Sequence, residues 1–207
     1  RTMVFEHEPG TSDLFYHQME LFCNKTHIKH IIRQVTGTLC KLHAMGIAHL
    51  DIKLENIVWN PKSGKVSLID FEMAQSQWPP SLQLSTLNRG TPKTMPPEQI
   101  GMFPFQIHAD RTTIDVWQIY ILIFILCFMC DPFQIPEHNR LKRLTHITGS
   151  MIRSWFSTSH ASQCQVRDIM ERDVWFSDIK DWLEIQFRKM PDERMTMYQI
   201  YSHPLFQ

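Results

Sequence analysis

The run from Ile119 to Cys130 constrains the fold most, because it carries no charged side chain and no glycine or proline. It is about half the length that a membrane-spanning helix needs. A water-soluble chain satisfies such a run by burying it as a helix that is apolar all round, at the centre of a helical domain. Thr113 or Asp115 is placed to start this helix, and Asp131-Pro132 is placed to stop it. Cys127 and Cys130 form a C-x-x-C inside the run. With no second cysteine pair near them, they read as core packing rather than as a redox or zinc site.

The remaining helices are amphipathic. Ile28, Ile31, Ile32, Val35, Leu39 and Leu42 recur at steps of mostly three and four, with Thr26 as the expected cap and Gly46 as the stop. Asp13 is expected to cap a short helix through Leu14, Phe15, Met19 and Phe22. Ile179, Trp182, Leu183, Ile185 and Phe187 mark a later helix, and Thr196 caps a last one that stops before Pro204. Strand signals are few. Ile57-Val58-Trp59 and Val66, Leu68, Ile69 flank the turn Asn60-Pro61-Lys62-Ser63-Gly64, which makes a hairpin. The expected class is mainly α with a small β hairpin, in one domain spanning residues 1–207.

Composition narrows the function. The 21 basic and 21 acidic side chains balance, so no electrostatic case for nucleic acid arises. No signal peptide or membrane span is visible, and no membrane partner is expected. The five scattered cysteines do not describe a disulfide framework, which fits an intracellular setting. His27 and His30 stand three apart, but no further ligand follows at suitable spacing, so they read as surface residues.

The chemistry concentrates at the hairpin. His49-Leu50-Asp51-Ile52-Lys53-Leu54-Glu55-Asn56 leads into its first strand, and Asp70-Phe71-Glu72 follows its second. The hairpin therefore holds an acid, a base and an amide near one point, a set suited to a phosphate–metal complex. Residues 70–97 form a long polar connection ending in Gly90-Thr91-Pro92-Lys93-Thr94-Met95-Pro96-Pro97-Glu98. Loops of that length are usually functional.

These motifs together resemble the C-terminal lobe of a eukaryotic-type protein kinase. HLDIKLEN is similar to the catalytic loop HRDxKxxN, IDFE to the metal-binding DFG, and GTPKTMPPE to GTxxYxAPE. DVW at Asp115–Trp117 resembles DxWxxG, RMTMYQIYSHPLF resembles RxTxxxxLxHPxF, and VFEHEPGTSDLF resembles the hinge and the helix after it. The resemblance implies a serine/threonine kinase that uses ATP and Mg²⁺ on a protein substrate. Under it, Asp51 orients the substrate hydroxyl and Lys53 steadies the transferring phosphoryl. Asn56 and Asp70 hold Mg²⁺, and the backbone at Glu6 and Glu8 meets adenine. Thr91 approaches Asp51 and Lys53, and Glu98 pairs with Arg194.

Three departures accompany the resemblance. The family's glycine-rich loop, ATP-contacting lysine and partner glutamate lie upstream of the hinge and outside these 207 residues. The initial Arg1 favours a fragment over a lobe-only relative, and the segment alone is expected to bind ATP poorly. Leu50 replaces an arginine that meets activation-segment phosphate, so activity is expected not to depend on phosphorylating Ser85, Thr86 or Thr94. Glu72 replaces a glycine, and Tyr120 replaces another as a repacked core contact. The alternative reading is a pseudokinase or lobe-only mimic that binds a partner kinase without catalysis.

Overall fold

The computed structural model describes residues 8–22, 24–76, 90–99, 110–130, 132 and 173–207. Five helices carry the core: α1 (Gln18–Leu21), α2 (Lys25–Ala44), α3 (Thr112–Phe128), α4 (Val174–Gln186) and α5 (Met197–Tyr201). From Ile114 to Phe128 every side chain of α3 except Ile125 is buried, as an apolar run of this kind requires. α2 lies against α3, α5 and the hairpin, and α4 packs on the other flank of α3. Burying each large aliphatic or aromatic side chain contributes about 1.5–3 kcal/mol, so the α2–α3–α4 seam dominates the described core.

Two small antiparallel sheets decorate this core. β3 (Ile57–Trp59) pairs with β4 (Val66–Leu68) in the register Ile57↔Leu68 and Trp59↔Val66. The turn forms because the Asn60 side-chain oxygen accepts from the Lys62 and Ser63 amides at 2.9 and 3.3 Å. Gly64 supplies the left-handed backbone (φ 73°) that closes it. A third strand, β1 (Ser12–Asp13), adds to the outside of β3. The second sheet joins β2 (Ile47–Ala48) to β5 (Gln75–Ser76). It brings the segment before His49 alongside the segment after Asp70.

Several sequence expectations shift. Asn24, not Thr26, caps α2, accepting from the His27 amide at 3.1 Å. Thr26 follows one residue into the helix and is exposed. α3 begins at Thr112, and Asp115 sits inside it as a fully buried side chain rather than at its start. Asp13 lies in β1 and accepts from the Tyr16 amide, while only Gln18–Leu21 is helical after it. Thr196 caps α5 as expected, with reciprocal bonds to Gln199. Tyr120 is fully buried against the Trp182 and Phe187 rings. No helix among the described residues is long and apolar enough to cross a membrane.

Candidate active site

The loop between β2 and β3 has almost no backbone ladder of its own. Its geometry is imposed by side chains from elsewhere. Asp115 of α3 accepts from the His49 amide at 2.9 Å and the Leu50 amide at 2.7 Å. Its Oδ2 also lies 2.8 Å from His43 Nε2 of α2. Leu50 takes a left-handed backbone (φ 68°), which costs a non-glycine residue roughly 1–2 kcal/mol. Its side chain is buried in a small apolar cluster with Ala48 and Ile114, against Met73. The leucine that stands in place of the family's arginine is therefore absorbed by apolar packing.

Asp51 stands at the centre. Thr91 donates to its Oδ1 twice, from the amide at 2.9 Å and from the hydroxyl at 2.7 Å. Lys53 Nζ and Asn56 Nδ2 reach its Oδ2 at 2.8 and 3.0 Å. Lys53 Nζ also donates to the Thr91 hydroxyl at 2.9 Å, which closes a three-membered ring of Asp51, Lys53 and Thr91. Burial pushes the Asp51 carboxyl up. The hydrogen bonds from Lys53 and Thr91, with the lysine charge, outweigh it and hold the carboxyl below its ordinary range. Asp51 is thus ionised and only 5% exposed.

His49 props the loop from behind. Its Nδ1 accepts from the Asp51 amide at 3.3 Å, so the ring proton sits on Nε2 and is given to the Ile69 carbonyl at 3.1 Å. Burial lowers the His49 pKa, against the opposing pull of Asp115, the Ile69 carbonyl, Asp51 and Asp70. The neutral ring matches that hydrogen-bond pattern. The Phe71 ring meets His49 edge-on at 4.8 Å.

The hairpin sets Asn56 against Asp70. The Ile69 amide donates to the Asn56 carbonyl at 2.9 Å, so Asp70 is the next residue along from Asn56's partner. Asn56 Nδ2 is committed to Asp51, which directs its Oδ1, an acceptor, the other way. Asp70 is exposed, has a left-handed backbone (φ 61°) and accepts from the Glu72 amide at 3.3 Å. Glu72 is exposed. Among the described residues, no three His, Cys, Asp or Glu side chains form a group able to hold a metal alone.

Asp51, Lys53 and Asn56 are therefore in direct contact, and Asp70 lies at the facing strand end. Glu8 makes no hydrogen bond to this group; its carbonyl accepts from Thr11 in the turn before β1. Glu6 falls outside the described residues, as do Ser85 and Thr86. Thr94 is buried and donates to the Thr91 carbonyl. Further off, Arg194 meets Glu98 with two bonds of 2.6 and 2.8 Å, donates to the Thr113 carbonyl and covers the Trp117 ring.

Sequence reasoning did not find what Asp115, Gln118 and His43 do for this loop. Nor did it foresee the close approach at Gly90, where a Cβ would stand 2.7 Å from the Leu50 carbonyl oxygen.

The protein kinase domain model matches residues 1–206, and the chain belongs to that family. A probable inactive serine/threonine-protein kinase of Dictyostelium discoideum is 28% identical over 200 residues, covering 96% of this chain and 15% of that protein. An SNF-related serine/threonine-protein kinase of Homo sapiens is 25% identical over 184 residues, 89% of this chain and 21% of that protein. The smooth-muscle myosin light chain kinase of Gallus gallus is 28% identical over 177 residues, 85% of this chain and 8% of that protein. The chain thus spans well under half the length of these relatives.

Proposed function

We propose that this chain is the hinge and C-terminal lobe of a serine/threonine protein kinase. It would transfer the γ-phosphoryl group of ATP to a protein hydroxyl. The observation that carries this reading is the environment of Asp51: an ionised, nearly buried carboxylate that already accepts a hydroxyl hydrogen bond beside a lysine ammonium. The Thr91 hydroxyl occupies a place that an alcohol acceptor can share or approach. Asp51 orients that alcohol and receives its proton as the oxygen attacks phosphorus. Lys53 moves its positive charge along with the phosphoryl oxygens.

Asn56 Oδ1 and the Asp70 carboxylate suit a hard divalent cation, which prefers oxygen donors. Two protein ligands are few, and that fits Mg²⁺, which keeps waters and takes substrate phosphate oxygens for the rest. When bound, the ion supplies charge neutralisation at the phosphates. A cavity of about 230 Å³ borders Lys53 and Thr91. Its floor is Ile121, Leu122 and Ile125 of α3, which gives the acceptor segment of a protein substrate an apolar seat.

Phosphate transfer by the full-length protein tests the reading, with Asp51→Asn as the control. Transfer by wild type and a loss of about a thousandfold in the variant are expected. No transfer with either Mg²⁺ or Mn²⁺ would sink the proposal. It would leave the second reading, a pseudokinase that binds a partner kinase. That reading draws on Glu72, whose amide engages Asp70 and whose exposed carboxylate adds negative charge next to it.

A further inference from the structure

Gln118 lies fully buried on α3, one turn beyond Asp115. Its side chain makes two good hydrogen bonds to the loop. Nε2 donates to the Leu50 carbonyl at 3.0 Å, and Oε1 accepts from the Ile52 amide at 2.9 Å. These two groups flank Asp51 on either side. Nε2 is also 3.5 Å from Thr94 Oγ1, in the turn that carries Thr91.

The surrounding bonds leave Gln118 a distinct task. Asp115 holds the Leu50 amide, His49 the Asp51 amide and Asn56 the Asp51 carbonyl. Among the described residues, the Leu50 carbonyl and the Ile52 amide have Gln118 as their one partner. Leu50 is the residue with the unfavourable left-handed backbone, and its peptide could relieve that strain by rotating. Rotation would swing Asp51 away from Lys53 and Thr91. A primary amide is neutral and carries its donor and its acceptor side by side on one carbon, a spacing that bridges one residue.

We infer that Gln118 is a positioning residue for Asp51: its amide splints the backbone on both sides of that residue and keeps the carboxylate aimed at the acceptor hydroxyl. The inference rests on the phosphotransfer reading for its consequence in rate, but not for the splint itself. Gln118→Met is the variant of choice, since it keeps the volume and removes both bonds. Leu183→Ala in α4 serves as a comparison that destabilises the core without touching the loop.

In the full-length protein, Gln118→Met should lower kcat for phosphate transfer at least tenfold and leave KM for ATP within about twofold. Amide hydrogen exchange supplies a second readout. The segment 50–52 should exchange at least tenfold faster in Gln118→Met, relative to α2, and Leu183→Ala should not reproduce that local change. Unchanged exchange in segment 50–52 would overturn the inference. So would faster exchange with an unaltered kcat, because the splint would then not position Asp51. If wild type transfers no phosphate, the phosphotransfer reading fails, and the exchange comparison decides the splint alone.

Discussion

Two carboxylate–cation pairs in this molecule invite comparison. Glu98 and Arg194 are sealed, with side chains 0% and 1% exposed, and they meet in a two-pronged contact. The side chains of Asp51 and Lys53 are 7% and 23% exposed, meet through one contact, and share a third partner in Thr91. The sealed pair joins the end of the 91–99 segment to the chain before α5 and has no open side. The open pair lies in a network whose members exchange hydrogen bonds. A sealed pair fixes architecture, because neither charge has anywhere else to go. An open one can hand a bond from Thr91 to an incoming hydroxyl without stranding a charge.

Breaking the sealed pair should have the largest effect on folding. Arg194→Met leaves Glu98 buried and unpaired, and should cost about 3–5 kcal/mol. Joint replacement of Glu98 and Arg194 by Leu and Met should cost less than Arg194→Met alone. Thermal denaturation of the three proteins checks this, and a joint variant at least as unstable as the single one would contradict it.

Gly90→Ala comes next. Its Cβ would press on the Leu50 carbonyl, from a backbone (φ 105°) that alanine avoids. A loss of about 1–3 kcal/mol in denaturant unfolding is expected.

Thr91→Val removes the hydroxyl between Asp51 and Lys53 and should cost about 1 kcal/mol or somewhat more. Thr91→Ser should retain most of it. Equal stability of the two variants would show that the hydroxyl network adds nothing to the open pair.

The last prediction concerns acid. His49 and Asp51 both have folded pKa values below their ordinary ones, near 6.5 and 3.8. In each case the unfolded chain binds the proton more readily, so stability falls with falling pH. His49 contributes first, as pH drops below about 6.5, and Asp51 follows below about 3.8. His49→Gln should shrink the first step in a plot of stability against pH, leave the part due to His203, whose pKa burial also lowers, and spare the second.

Local signals were legible in the sequence; distant ones were not. The Asn60–Gly64 turn announced the hairpin because its side-chain and glycine chemistry acts within five residues. The apolar run announced α3 for a similar reason. Asp115 misled, because an acidic residue near a helix start looks like a cap, whereas its partners are loop amides 65 and 66 residues away. Gln118 gave no signal, since a lone glutamine within an apolar helix has no local pattern to break. The two-residue strands β1, β2 and β5 are too short for any alternation to show. Asp51, Lys53 and Asn56 were visible as a set through the family resemblance, and the approach of Thr91 to Asp51 and Lys53 was expected on the same ground. The support beneath that set belongs to tertiary structure alone.

The dependence of the 49–52 loop on α3 also has a consequence for the order in which the chain folds. The hairpin draws on its own turn and on the neighbouring α2, whose Gln34 accepts from the Val66 amide 32 residues on, so it can close early. The loop directly before it has no such local route. Its amides and carbonyls find their partners only after α3 has docked, across some 65 residues of intervening chain. Asp51 and its neighbours therefore acquire their arrangement late, and a nascent or partly unfolded chain would carry the hairpin without a formed site.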